Sequence, residues 1–189
     1  PIDGPTEPPV LPPVLPPVEP PADQPDWYVL TPPPGVMVYY VAANGDDASS
    51  GISSSLPLKT VQAAYAKVRD GSGDMILLRR GETFHVAMER GFLRKSGRSK
   101  DERLVIAAYG DESLPRPIIR PGLDGTRQRK AIAIAPNRVQ SHLAFVSIDF
   151  RADKVNAETA VSIVGDKNDS SKRPTDIWFE DCDASNWSH

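Results

Sequence analysis

The side chains most able to do chemistry gather near the C-terminal end: Asp176, Glu180, Asp181 and Asp183. A further carboxylate, Asp149, lies two residues before Arg151. Two carboxylates held about 5 Å apart can share a calcium ion, or act as nucleophile and acid of a retaining glycosidase. Two carboxylates that merely face water do neither. Trp178 and Trp187 carry flat apolar faces that can stack on sugar rings. The single cysteine, Cys182, rules out an internal disulfide and any multi-cysteine zinc or redox motif, and reads as a small buried hydrophobe. The histidines His85, His142 and His189 have no metal-site spacing, and His142 reads as a surface residue at the start of a strand. Asp46 and Asp47 are adjacent acids without a calcium-loop spacing, which makes a solvated turn the simpler reading.

Whether these groups meet depends on the elements beneath them. HLAFVSIDF (142–150) aligns with DIWFEDCDA (176–184). Leu143 falls on Ile177, Phe145 on Phe179, Ile148 on Cys182 and Phe150 on Ala184. Both segments skip three positions between their second and third apolar residues. A strand, a one-residue corner and a second strand produce such a skip, with Ser147 or Asp181 at the corner. Upstream, Ile132 matches Val161 and Ile134 matches Ile163. The offsets are 34 and 29 residues because 165–175 lengthens one connection. The unit is therefore a coil of two or three short strands, each coil burying its apolar face on the next. In such a stack Asp149 and Asp183 are outward neighbours, about 4.8 Å apart if their strands belong to successive coils.

The remaining sequence fits this architecture. Short β-branched or aromatic runs mark strands at 36–42, 75–80, 104–110, 117–120, 131–136 and 160–165. One helix interrupts them: Thr60 is the expected N-cap, Val61, Ala64, Tyr65 and Val68 form one apolar stripe, and Gly71 is the expected stop. Residues 1–35 hold 14 of the 20 prolines and read as an extended spacer, which gives two regions, 1–35 and 36–189. With 189 residues and a net charge of −3, the chain lacks the basic surface that nucleic acid requires. The run 94–103, RKSGRSKDER, is broken by acids and reads as a solvated loop. No apolar run is long enough for a membrane-spanning helix.

The stretch from Tyr39 to Phe84 resembles the N-terminal entry of right-handed parallel β-helix proteins of the pectate-lyase-like group. The shared features are the strand 39–41, the polar loop Asn44 to Gly51, Pro57 to Thr60, the amphipathic helix, Gly73-Asp74 and the strand 75–78. IWFEDCDASNWS similarly resembles that group's coil pattern, with Asp181 and Ala184 departing from it. The resemblance implies an all-β, right-handed parallel β-helix with a short N-terminal capping helix. Polysaccharide lyases of this fold use calcium to neutralise an acidic sugar's carboxylate, and a basic residue then removes a proton. By that implication Asp149 and Asp183 are candidate calcium ligands and catalytic carboxylates, with Arg151 as base or substrate-carboxylate clamp. Trp178 and Trp187 are candidate carbohydrate platforms. The expected protein is exported, secreted or held at a bacterial-type cell surface through the Pro-rich segment, with polysaccharide as partner. No signal peptide is visible, and further coils are expected beyond His189. The competing expectation is a non-catalytic adhesin or fibre-type solenoid.

Overall fold

The computed structural model describes residues 31–89, 91–124, 127–134, 139–153 and 159–187. In chain order the elements are β1 (Val38–Val41), α1 (Val61–Lys67), β2 (Met75–Arg79), β3 (Thr83–Phe84), β4 (Leu104–Tyr109), β5 (Ile118–Ile119), β6 (Leu123–Asp124) and β7 (Arg127–Gln128). They continue with β8 (Ile132–Ile134), β9 (Leu143–Val146), β10 (Asp149–Arg151), β11 (Val161–Ile163), a 3-10 turn (Ser170–Lys172), β12 (Ile177–Glu180) and β13 (Asp183–Ser185). The Pro-rich region 1–35 falls mostly outside the described residues, as does His189.

These strands wind into a parallel β-solenoid of about four turns. Sheet A runs β1-β2-β4-β9-β12 and sheet B runs β13-β10-β5-β3, while β8 and β11 form a third wall; all of these neighbours pair in parallel. Only the small hairpin β6–β7 is antiparallel among the described strands. The expected repeat is the observed register. Leu143 pairs with Ile177 and Phe145 with Phe179 in sheet A. Phe150 pairs with Ala184 in sheet B, and Ile132 with Val161 and Ile134 with Ile163 in the third wall. The corner residues Ser147 and Asp181 have φ of 55° and 48°, the left-handed conformation that turns the chain sharply from sheet A to sheet B.

Period-2 alternation then sends columns of side chains inward from each wall, and one from each sheet carries the aromatic residues. In sheet A that column is Tyr39, Ile76, Ile106, Phe145 and Phe179. In sheet B it is Phe84, Ile119, Phe150 and Ala184. Phe145 and Phe179 stack with centroids 5.0 Å apart and planes 13° from parallel. Sheet A is also apolar outward: Met75, Leu77, Val105, Ala107, Ala144 and Val146 are buried, with Val36, Val38, Tyr40 and Tyr109 packed against them. Parallel sheets covered on both faces read as continuous apolar runs, which accounts for MILL, LVIAA and LAFV.

The polar run 44–60 brings the chain to its helix. Gly45 passes so close to the chain that an added Cβ would lie 2.3 Å from the Leu58 carbonyl oxygen. Asp47 accepts hydrogen bonds from the backbone N–H of Lys59 and Thr60 and from the Thr60 hydroxyl, each at 2.8 Å. Thr60 Oγ1 in turn accepts from the Ala63 N–H at 3.1 Å, the expected N-cap. Asp46 accepts from the Ala48 N–H, so this acidic pair is engaged in turn and cap bonds. The helix buries Val61, Ala64 and Tyr65 against the first coil.

Two expectations need correction here. The helix ends at Val68, before Gly71, where the backbone turns extended, and Lys95 caps it: its ammonium donates to the carbonyls of Tyr65 (2.8 Å), Ala66 (3.2 Å) and Val68 (2.5 Å). The run 94–103 is accordingly not just a solvated loop. Tyr65 Oη accepts from the backbone N–H of Arg94 and Lys95, so this segment is strapped to the helix. Lys95→Met should lower stability by about 2 kcal/mol, because it removes charge-assisted bonds from carbonyls that have no other helical donor. Chemical denaturation would check this, and an unchanged midpoint would count against the strap.

Candidate functional site

Asp149, Arg151 and Asp183 lie on the outward side of sheet B, on β10 and β13. Asp149 and Asp183 are register partners on β10 and β13, so the expected stacking of the two positions is present. Their environments differ. Asp183 is exposed, whereas Asp149 is only 7% exposed. Asp149 Oδ1 lies 2.9 Å from Arg116 Nε, and Oδ2 lies 3.3 Å from Arg151 Nη2. The first contact is an ion pair without hydrogen-bond alignment, since Oδ1 has no aligned donor. Arg116 also donates to the Asp181 carbonyl at 2.8 Å and pairs with the Asp181 carboxylate. Ser147 Oγ donates to Asp181 Oδ2 at 2.8 Å, tying two successive corners together.

This donor set does not fit calcium. A calcium ion needs carboxylate oxygens free to ligate, and both oxygens of Asp149 already face guanidinium groups. Among the described residues no group of three His, Cys, Asp or Glu side chains could hold a metal ion. The same pairing constrains Arg151. A guanidinium braced by a carboxylate is a poor proton acceptor, but it keeps donors for a second anion.

Arg120 stands beside it. The register Ile118↔Asp149 and Ile119↔Phe150 brings Arg120 alongside Arg151 on the outward side of sheet B. Arg120 Nε lies 3.2 Å from Asp153 Oδ1, and both guanidinium side chains are partly exposed. The result is two neighbouring guanidiniums, each within ion-pair distance of a carboxylate: Arg120 of Asp153, and Arg151 of Asp149, which Arg116 shares.

The two tryptophans differ. Trp187 packs against the core and donates from Nε1 to the Phe150 carbonyl at 3.2 Å. Trp178 stands outward on β12 at 45% exposure. Arg103 lies over its ring, 5.2 Å from guanidinium carbon to centroid, and its Nε1 donates to Glu180 at 2.8 Å. Cys182 is half-buried, with its thiol donating to the Phe145 and Glu180 carbonyls. Burial pushes that thiol up, away from the reactive thiolate.

Sequence reasoning missed a cluster centred on Asp176. Its carboxylate accepts from Arg103 Nη2 at 2.6 Å and from Nε at 3.0 Å, and lies 2.8 Å from His142 Nδ1. The Arg103 bonds, helped by His142 and against the opposing effect of burial, hold this carboxyl below the usual range. His142 is thus a member of an ion-paired network and not a bland surface residue. The signal was present in the sequence: His142 and Asp176 share the 34-residue offset of the repeat and directly precede β9 and β12.

No protein-family model matches the chain. Over 86 residues, 45% of its length, it is 31% identical to the lacto-N-biosidase of Bifidobacterium longum subsp. longum, of which the match covers 5%. Among solved structures, it resembles a rhamnogalacturonan lyase over 78% of its length, at 15% identity and a TM-score of 0.45, covering 51% of that chain. It resembles a lacto-N-biosidase of Eubacterium ramulus over 77% of its length, at 18% identity and a TM-score of 0.39, covering 26% of that chain. The chain thus spans a small part of the curated relative and at most about half of these structures. Among the described residues no helix is long and apolar enough to cross a membrane.

Proposed function

We propose that the protein is an exported carbohydrate-active β-solenoid that holds a polysaccharide across the outer face of sheet B. Arg120 and Arg151 meet the carboxylates of acidic sugars, and Asp183 is the exposed carboxylate beside them. The observation that carries this reading is the pair of partly exposed guanidiniums, each braced by a carboxylate. A braced fork gives up less side-chain freedom when it binds a planar anion. The sequence match to a protein named lacto-N-biosidase supports the broader carbohydrate assignment. The winding is right-handed, the hand that parallel crossovers overwhelmingly take. In this reading the Pro-rich 1–35 region spaces the solenoid from a cell surface.

A second reading has its own support. Asp149, the nearest carboxylate to Arg151, is held by two guanidiniums and is not presented to a substrate. That favours glycan binding without turnover, as in an adhesin or fibre protein.

Affinity electrophoresis in gels containing pectate or alginate tests the binding claim. Arg151→Ala should weaken retention about tenfold, the loss of one charge-assisted contact. Equal retention of parent and variant, or no retention of the parent, would sink it. Ultraviolet detection of unsaturated product from the same uronates separates the two readings: product supports a lyase, while binding without product supports the adhesin type.

A further inference from the structure

Sheet A buries its outward face as well as its inward one. Register sets two outward columns, Val38–Met75–Val105–Ala144–Trp178 and Tyr40–Leu77–Ala107–Val146–Glu180. The centre of this face is shut off from water: Val105 and Ala107 are 0% exposed and Ala144 is 1% exposed. The rim is not, since Val38 and Tyr40 are partly exposed and Trp178 is exposed. Small residues on one face of a sheet bury one another only in part, because their neighbours stand in the same layer. The apolar residues that pack against this patch among the described ones are Val36, Val38, Tyr40 and Tyr109. Three of these stand on β1 and β4 and flank the patch, and Val36 lies just before β1. The Tyr109 hydroxyl is buried too, with no hydrogen-bond partner among the described residues. Such a face calls for a further layer that brings apolar surface and a hydrogen-bond acceptor.

We propose that Trp27, Tyr28, Val29 and Leu30 form this layer, crossing the outward face of sheet A as a cover supplied by the chain's own N-terminal region. The cover is independent of the carbohydrate reading above, and it leaves residues 1–26 as the spacer.

The path of the chain points there. The Val36 N–H donates to the Pro33 carbonyl at 3.2 Å, and Gly35 has a φ of 81°. Pro34 and Gly35 at the two central positions suit a type II turn, which reverses the chain. Residues before Pro33 are thereby sent back alongside β1. They cannot pair with its free edge, because that edge is taken. The Tyr40 N–H donates to the Gly51 carbonyl at 2.7 Å, the Leu58 N–H to the Tyr40 carbonyl at 2.8 Å and the Ala42 N–H to the Leu58 carbonyl at 2.9 Å. The outward face is the apolar surface left beside the turn, and Val36 already packs on it.

The segment matches that surface. Residues 27–30 are the one run of four successive apolar residues without proline in 1–35. Aromatic and β-branched types suit an extended segment laid on a sheet. Four extended residues span about 13 Å, close to the roughly 14 Å from β1 to β9 across three strand spacings. Large side chains in the segment complement the small floor of Val105, Ala107 and Ala144. Its backbone carbonyls offer the Tyr109 hydroxyl an acceptor.

The test uses the full 189-residue chain carrying Ala107→Cys, pulsed with a thiol-alkylating reagent and read by peptide mass spectrometry. The introduced thiol should label at least about a hundredfold more slowly than in denaturant, as a covered site does. Replacing Trp27, Tyr28, Val29 and Leu30 together by serine should speed that labelling at least about tenfold. Cys182, half-buried on the other side of the solenoid wall, is the internal control and should stay as slow as before. Fast labelling of Ala107→Cys with the native segment overturns the cover. Equally slow labelling with the four serines also overturns it; if that protection falls on dilution, a second copy of the chain holds the face instead. If Cys182 becomes fast as well, the serine variant has unfolded, and nuclear Overhauser contacts in the parent protein decide. Contacts between the Ala107 or Ala144 methyl and the ring of Trp27 or Tyr28, assigned through Trp27→Phe and Tyr28→Phe, sustain the cover. Their absence overturns it.

Discussion

Val61→Glu is expected to cost about 3–5 kcal/mol, enough to unfold many domains, because it places an unpaired charge in a buried contact. Val61 is 1% exposed and opens the apolar stripe that α1 lays on the first coil. The first coil of any solenoid leaves a greasy interior and unpaired strand edges at its end, and both invite aggregation. If α1 covers that end, the damage should appear as lost solubility and a lowered denaturation midpoint. Glutamate at Gln62, on the other side of the same turn, is the control for charge alone. If Val61→Glu unfolds at the same denaturant concentration as the parent, α1 is not a cap.

The second large effect belongs to Asp74. Its carboxylate is buried, and it accepts from the N–H of Met37 and of Arg69, each at 2.9 Å, and from the Arg69 guanidinium. It joins the chain before β1, the end of α1 and the start of β2 at one point. Burial alone would raise its pKa. The Arg69 side chain and the two backbone donors outweigh burial and hold the pKa at about 2. The folded pKa is below the unfolded value of 3.8, so the stabilisation is complete above pH 4 and fades as pH falls towards 2. A shift of that size corresponds to about 2 kcal/mol across the window. Asp74→Ala should cost about 3–5 kcal/mol at neutral pH, since it strands two backbone donors as well as removing the charge. It should also flatten the acid limb between pH 4 and 2. Denaturant titrations of both proteins across that range would check this, and an acid limb that survives in the variant would assign it to other carboxylates.

Much of the fold was legible because a solenoid repeats locally. The coincidence of Leu143, Phe145, Ile148 and Phe150 with Ile177, Phe179, Cys182 and Ala184 is a statement about spacing, and spacing survives in one dimension. The observed pairing follows it at Leu143, Phe145 and Phe150. Thr60 as helix N-cap was legible for the same reason, since a cap acts within three residues. The helix stop was not. Gly71 was the only local signal, but Lys95, 27 residues beyond Val68, supplies the donors for the last carbonyls.

The candidate site divides along the same line. By itself the sequence determined which positions stack: Asp149 over Asp183, His142 over Asp176, Ser147 over Asp181. It also determined that Trp178 would face outward between Ile177 and Phe179. It could not say which charges would neutralise one another. Arg116 reaches Asp149 and Asp181, and Arg103 reaches Asp176 and the face of Trp178, from coils one or two turns earlier in the stack. Backbone register is a short-range, periodic property that a string of residues can carry. Long flexible guanidiniums choose their partners only after the coils have closed, because distance in space, not in sequence, sets an electrostatic contact.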